Sequence, residues 1–334
     1  MKERRLIPYQ NGYEPFVDFL KGYMILCILF THACNVWEPL RDYSMFYLWA
    51  CAPTGCFLLI STMHFYRNGV GGRRINIGKH VKKVLLPFGV AQIVIVLGII
   101  IFKSLHHFDS EKIITLIKAG GYGVGSYFPW VYIQYILVMI LITPIIKIFL
   151  KNKIILLLLF VFLSVAIEVI CSIFDMDDGW YRVTVLRYPF LIYLGLELDC
   201  KGIYLSKKRI VASLIGLFFV LIFACWHVNL EPVFYDTCWN TYHWVCYLYM
   251  AYFLVYVLYR IFLWQKENKF NHCIIRIGKA SYGIFLFQSF FYLIPIELLN
   301  NNIVAIVLFI PFSMIFCSIG GILLKEKVLD VCIT

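Results

Sequence analysis

The stretch DFLKGYMILCILFTH, residues 18–32, is apolar except near its ends, where it carries Asp18, Lys21 and His32. An ionisable group inside a membrane-length apolar run is costly and marks function by default. The residue types define the chemistry. Neutral imidazole takes a proton near pH 7, because its unperturbed pKa is about 6.5. An ammonium is a point-charge binder of phosphate. On an α-helix the spacing of Lys21 and His32 leaves them only ~20° apart around the axis and about 16 Å apart along it. One helix face would then carry a cation near one end and a base near the other. Asp18, one turn before Lys21, is placed to pair with it. Snorkelling of Lys21 to the interface and a packing role for His32 are the plainer alternatives, and the shared face argues against both.

Other residues invite the same question. Glu168 and Arg187 stand in apolar surroundings and could form a buried pair, or Arg187 could hold an anionic group. His227 and His243 flank VNLEPVFYDTCWNTY, a segment rich in side chains that stack on and hydrogen-bond sugars; an interfacial aromatic belt is the alternative. Ser281, Phe285 and Gln288 follow i, i+4, i+7 and so share a helix face. The glycine-rich AGGYGVGSYFPW, residues 119–130, lacks the Lys-Ser/Thr ending of a phosphate-binding loop. The 12 cysteines form no CxxC pair, and most lie in apolar runs, where cysteine is a small apolar filler. No metal site is expected.

These residues need a scaffold, and composition names it. Hydrophobic residues make up 62% of the chain and charged residues 15%, against roughly 45–50% and 25% in soluble domains. Apolar runs of about 17–25 residues recur throughout, each long enough to cross a bilayer. The expectation is an all-α polytopic membrane protein forming a single domain over 1–334, its helical core at about 15–324. About ten spans are expected, near 15–37, 43–66, 84–102, 128–149, 154–174, 183–199, 210–228, 243–263, 280–299 and 302–324, the sixth being the shortest. The net charge is +11, and the basic residues cluster in alternate connections and both tails. Arg67, Arg73, Arg74, Lys79, Lys82 and Lys83 form the largest such group. The positive-inside rule therefore puts both termini in the cytoplasm. Charge of this kind is explained by topology and anionic lipid, and no nucleic-acid partner is expected. No cleavable leader and no internal repeat is legible.

The Lys, ten residues, His spacing resembles the first span of the integral-membrane acyltransferase-three family, which includes bacterial sugar and polysaccharide O-acetyltransferases. Lys21 stands where most members have Arg, a variant associated with the branch resembling fucose O-acetylases. Further segments resemble the family in order. GCFLLISTMHFYR (55–67) is similar to its second span, although Met63-His64 replaces Gly-Phe. KHVKKVLLPF (79–88) is similar to the basic start of its third span. WVYIQYILVMILITP (130–144), FLIYLGLELD (190–199) and IGKASYGIFLFQ (277–288) follow. The last departs from the family in one place: Gln288 stands where a His is usual. A glutamine orients or hydrogen-bonds a substrate but does not exchange protons near neutral pH.

The resemblance implies transfer of an acyl group, commonly acetyl, from an acyl-CoA co-substrate to a hydroxyl of a carbohydrate or cell-surface glycan, with no bound cofactor. It implies an integral protein of a bacterial cytoplasmic (inner) membrane, in contact with lipid. His32 is the candidate catalytic base. Lys21, Arg67, Lys79 and Lys83 are candidates for the donor's phosphates, and Asp18, Trp130, Arg187, Ser281, Tyr282 and Gln288 for supporting or substrate-binding roles. Two alternatives stay open. One is a transporter or flippase for a glycan or lipid-linked intermediate; such proteins usually show paired broken helices or repeats, and neither is legible here. The other is a family member that has lost catalysis, which Gln288 leaves possible.

Overall fold

The computed structural model describes residues 15–35, 38–66, 77–102, 116, 118–227, 243–264, 268–292 and 303–329. Every regular element among them is helical. In chain order these are α1 (Pro15–Cys34), α2 (Glu38–Cys51), α3 (Pro53–Tyr66), α4 (Ile77–His80), α5 (Leu86–Phe102), α6 (Phe128–Phe149), α7 (Lys153–Ile173), α8 (Asp178–Val183), α9 (Pro189–Lys201), α10 (Lys207–His227), α11 (Cys246–Tyr249), α12 (Val255–Trp264), α13 (Lys269–Lys279), α14 (Ser281–Phe291) and α15 (Ile303–Leu324). A π-turn joins α4 to α5, and another joins α11 to α12.

Among the described residues, eight stretches are long and apolar enough to span a bilayer. They coincide with eight of the ten expected spans. The expected sixth is instead a turn of 3-10 helix, Val185–Arg187, leading into the 13 residues of α9. The expected ninth is α14, 11 residues long within the described part. Neither reaches, over its described residues, the ~20 residues that a straight crossing of about 30 Å takes.

The second span, expected as one helix, is broken. Pro53 disfavours the helical conformation at the residue before it, and Ala52 adopts φ 39°. Hydrogen bonds continue across the break, Ala52 N–H to Leu48 O at 2.8 Å and Cys56 N–H to Ala52 O at 2.9 Å. Pro53 was the available signal for this break.

Lipid and protein environments sort the helices. α6, α7, α10 and α15 leave large apolar side chains such as Ile148, Phe162, Phe218 and Leu308 exposed, as a hydrocarbon solvent allows. α1 is central: Leu20, Met24, Ile25 and Leu29 are fully buried. One helix lies where the sequence predicts a basic connection between the eighth and ninth expected spans. α13 buries Asn271, Ile274, Ile277 and Gly278 and turns Lys269, Arg276 and Lys279 outward, the i, i+3, i+6/7 rhythm of an amphipathic helix. It crosses α1 backbone to backbone. A Cβ added at Gly278 would lie 2.7 Å from the carbonyl carbon of Asp18 and 2.8 Å from the nitrogen of Gly22. Only glycine on both sides permits that approach. The crossing fixes the height of α1 against α14, the helix that follows α13.

Candidate active site

The crossing places the start of α14 beside the Asp18–Lys21 end of α1, and α14 then runs alongside α1. At its far end Tyr292 donates its hydroxyl to Leu29 O at 3.1 Å and packs edge-on against His32, ring centroids 5.9 Å apart. Between the two helices lies a cavity of about 210 Å³. His32 and Thr31 face it from α1, Ser281, Tyr282, Phe285 and Gln288 from α14, and Thr54 from just beyond the break. The i, i+4, i+7 face of Ser281, Phe285 and Gln288 is therefore realised.

Two polar groups on its wall have no hydrogen-bond partner among the described residues: the Nδ1 of His32 and both amide atoms of Gln288, which is fully buried. Buried polar atoms are nearly always paired, so these groups stand available to a ligand in the cavity.

The glycine-rich segment packs against the Gln288 side of the cavity. Gly120, Gly121, Gly123 and Gly125 all have positive φ, a region glycine enters without strain. Gly125 lines the cavity, and a Cβ there would lie 3.1 Å from the Phe285 ring and 3.8 Å from the Gln288 amide nitrogen. Side chains lock the segment. Gln92 donates to Tyr122 O at 3.0 Å and accepts from Tyr122 N–H at 2.6 Å. Ser126 donates to Ala119 O at 2.8 Å. Trp130 donates from Nε1 to Gly120 O at 2.8 Å. Trp130 thus positions the loop and does not line the cavity. Lys118 binds Asp177 at 2.9 Å, and that hydrogen bond holds the Asp177 carboxyl below the ordinary carboxylate range. Lacking the Lys-Ser/Thr ending of a phosphate-binding loop, the segment carries no chemical role legible in the sequence. Its signal was the run of glycines, and its role is to bring backbone close to Gln288.

The other predicted residues fall as follows. Lys21 pairs with Asp18 at 3.2 Å, as expected, and neither lines the cavity. Lys79 and Lys83 are exposed on α4 and its π-turn. Pro87 has no N–H for the preceding turn, and the ladder is wound so that Leu86 N–H reaches Val81 O. There the Val84 carbonyl accepts the hydroxyl of Tyr282. The basic segment is thereby fastened to the cavity floor. Arg67 lies outside the described residues, as does the segment 228–242.

A second cavity, about 440 Å³, adjoins the first across Thr54 and Tyr127, which line both. Arg187 and His243 line it. Of the two readings open for Glu168 and Arg187, a pair is seen through an intermediary: Tyr181 donates its hydroxyl to Glu168, and its ring carries the Arg187 guanidinium at 5.9 Å. Glu168 also stands 3.6 Å from Nδ1 of His243. Gln134 grips the backbone leading to Arg187, donating to Val183 O at 2.9 Å and accepting from Val185 N–H at 3.1 Å.

These features define a class: a helical membrane protein with a histidine and a neutral amide facing a mainly apolar cavity between its helices. The acyltransferase-three family model, described as an acyltransferase domain, matches residues 14–322. The chain belongs to that family and is a membrane acyltransferase. No curated protein and no solved structure matches it.

Proposed function

We propose that the protein transfers an acetyl group from acetyl-CoA to a carbohydrate hydroxyl, with His32 as the base, in a bacterial cytoplasmic membrane. The observation that carries this reading is the cavity flanked by His32 and Gln288, where the His32 Nδ1 and both Gln288 amide atoms have no hydrogen-bond partner among the described residues. The donor's phosphates would meet the basic segment of Lys79, Lys83 and Arg67, with Lys21 nearby, and its thioester would pass Tyr282 and Ser281 into the cavity. The acceptor would enter from the His32 end.

The chemistry balances on these groups. The imidazole of His32 removes the hydroxyl proton as the oxygen bonds to the thioester carbonyl carbon. The Gln288 amide donates to the carbonyl oxygen as it gains charge. The C–S bond breaks, and the imidazolium returns the proton to the departing sulfur, giving an ester and free thiol. A mainly apolar wall keeps water from competing. No carboxylate orients the imidazole at Nδ1 among the described residues, so packing by Tyr292 does that work. The break at Ala52 is a feature shared with transporter helices. Here it sets Thr54 into the wall common to both cavities.

The test is labelled acetyl-CoA with membranes holding wild-type or His32→Ala protein. Label should appear on glycan only with His32, while both proteins insert equally. Undiminished transfer by the variant would sink the mechanism.

A further inference from the structure

A groove of about 390 Å³ runs between α5, α14 and α15. Its wall on α5 is the row Leu86, Val90 and Val94, one residue per helical turn along one face. All three are more than half exposed, so the groove opens outward to lipid rather than inward to protein. Lys82 heads the row, in the π-turn one step before Leu86, and it is the one charged residue of the described lining. Leu286 and Phe290 enter from α14, and Leu324 of α15 stands on the other wall. The π-turn after α15, Lys325–Leu329, adds Val328, while its Glu326 is engaged by Arg276 at 3.2 Å.

Depth and charge identify the occupant. At 1.5 Å per residue the row from Lys82 to Val94 spans about 18 Å, close to one leaflet: about 15 Å of hydrocarbon and the start of the headgroups. A partner helix would need contact across the whole ~30 Å. On α5 the lining ends at Val94 and leaves Leu97, which is also exposed, outside the groove. An apolar trough one leaflet deep with an ammonium at its mouth matches one acyl chain and a phosphate. Charge asymmetry expects the Lys82 end in the cytoplasm, beside the leaflet that carries anionic lipid. The chain would lie behind the candidate site. Leu286 and Phe290 occupy the face of α14 roughly opposite Ser281, Phe285 and Gln288, and two residues past Lys82 the Val84 carbonyl accepts the Tyr282 hydroxyl.

We infer that this groove binds an anionic phospholipid, with one acyl chain laid along α5 between α14 and α15 and the phosphate on Lys82. The test needs no catalysis. Full-length protein is placed in phosphatidylcholine nanodiscs holding a minor fraction of phosphatidylglycerol that bears a photoreactive diazirine in its acyl chain. After illumination, adducts are mapped by mass spectrometry. They should concentrate on Leu86–Val94 and Leu286–Phe290 relative to α7 and α10, and unlabelled phosphatidylglycerol should displace them where added phosphatidylcholine does not. Lys82→Gln should cut the groove adducts roughly 5-fold, the worth of one lysine at an anionic surface, and Lys82→Arg should keep most of them. Val90→Trp fills the groove from an exposed position, sparing the packing beneath, and should remove them. Adducts spread alike over α5, α7 and α10 and displaced by neither lipid would mean ordinary boundary lipid and overturn the inference. So would a Lys82→Gln protein with the wild-type yield. A groove without adducts in a protein that crosslinks there to a second copy would assign the face to a dimer, and the inference would fail.

Discussion

The Gly22–Gly278 crossing ties packing to catalysis, and Gly278→Ala tests the link. The added methyl would sit 2.7 Å from the Asp18 carbonyl carbon, where ordinary contact begins at 3.4 Å, and it would press harder still on the carbonyl oxygen. Both obstacles are backbone, so no side chain can swing aside. The helices must part by on the order of 1 Å, and overpacking of this kind costs about 1–3 kcal/mol. α1 carries His32 and α13 leads directly into α14, which carries Gln288. Separation therefore moves base and amide relative to one another. A misplacement near 1 Å costs roughly 10²-fold in rate. The assay compares acetyl transfer and thermal stability for Gly278→Ala, Gly22→Ala and a control, Gly89→Ala, whose Cβ would meet nothing within 4 Å. The control should be unchanged or slightly stabilised, since alanine is the better helix former. The double variant should cost less than the sum of the singles, because one separation relieves both clashes. A Gly278→Ala protein as active and stable as the control would refute the reasoning.

Gln288→Ala should lower kcat about 10²–10³-fold if the amide stabilises the developing oxyanion, with donor KM little altered, as steady-state kinetics will show. Gly125→Ala forces a side chain onto φ 76° and against Phe285; roughly 1–2 kcal/mol of strain should appear as a lower melting temperature together with reduced transfer. The Asp177 carboxyl is held below its ordinary value by Lys118, so its charged form is the favoured one. Its contribution to stability should be present above the ordinary carboxylate pKa and disappear as pH falls through the lowered value; Asp177→Asn should flatten melting temperature against pH in that acid window alone.

Much of this was legible in the chain. Apolar length gave eight of the spans, because a bilayer imposes a length that sequence displays directly. Helical period gave the shared face of Ser281, Phe285 and Gln288, because the α-helix repeats locally. The Asp18–Lys21 pair was equally local. The amphipathic rhythm of α13 was present too, but its charge drew a loop assignment. What lies between helices was not legible. That Gly125 reaches Gln288 depends on contacts between residues more than 160 positions apart, and no local period encodes those. The tie from Tyr282 to Val84, the two cavities meeting at Thr54 and Tyr127, and the placing of Tyr181 between Glu168 and Arg187 arise only when helices pack. Sequence determined which segments enter the membrane and which side chains could do chemistry there. Tertiary structure decided which of them face one another, because that is set by helix crossings and glycine contacts rather than by position along the chain.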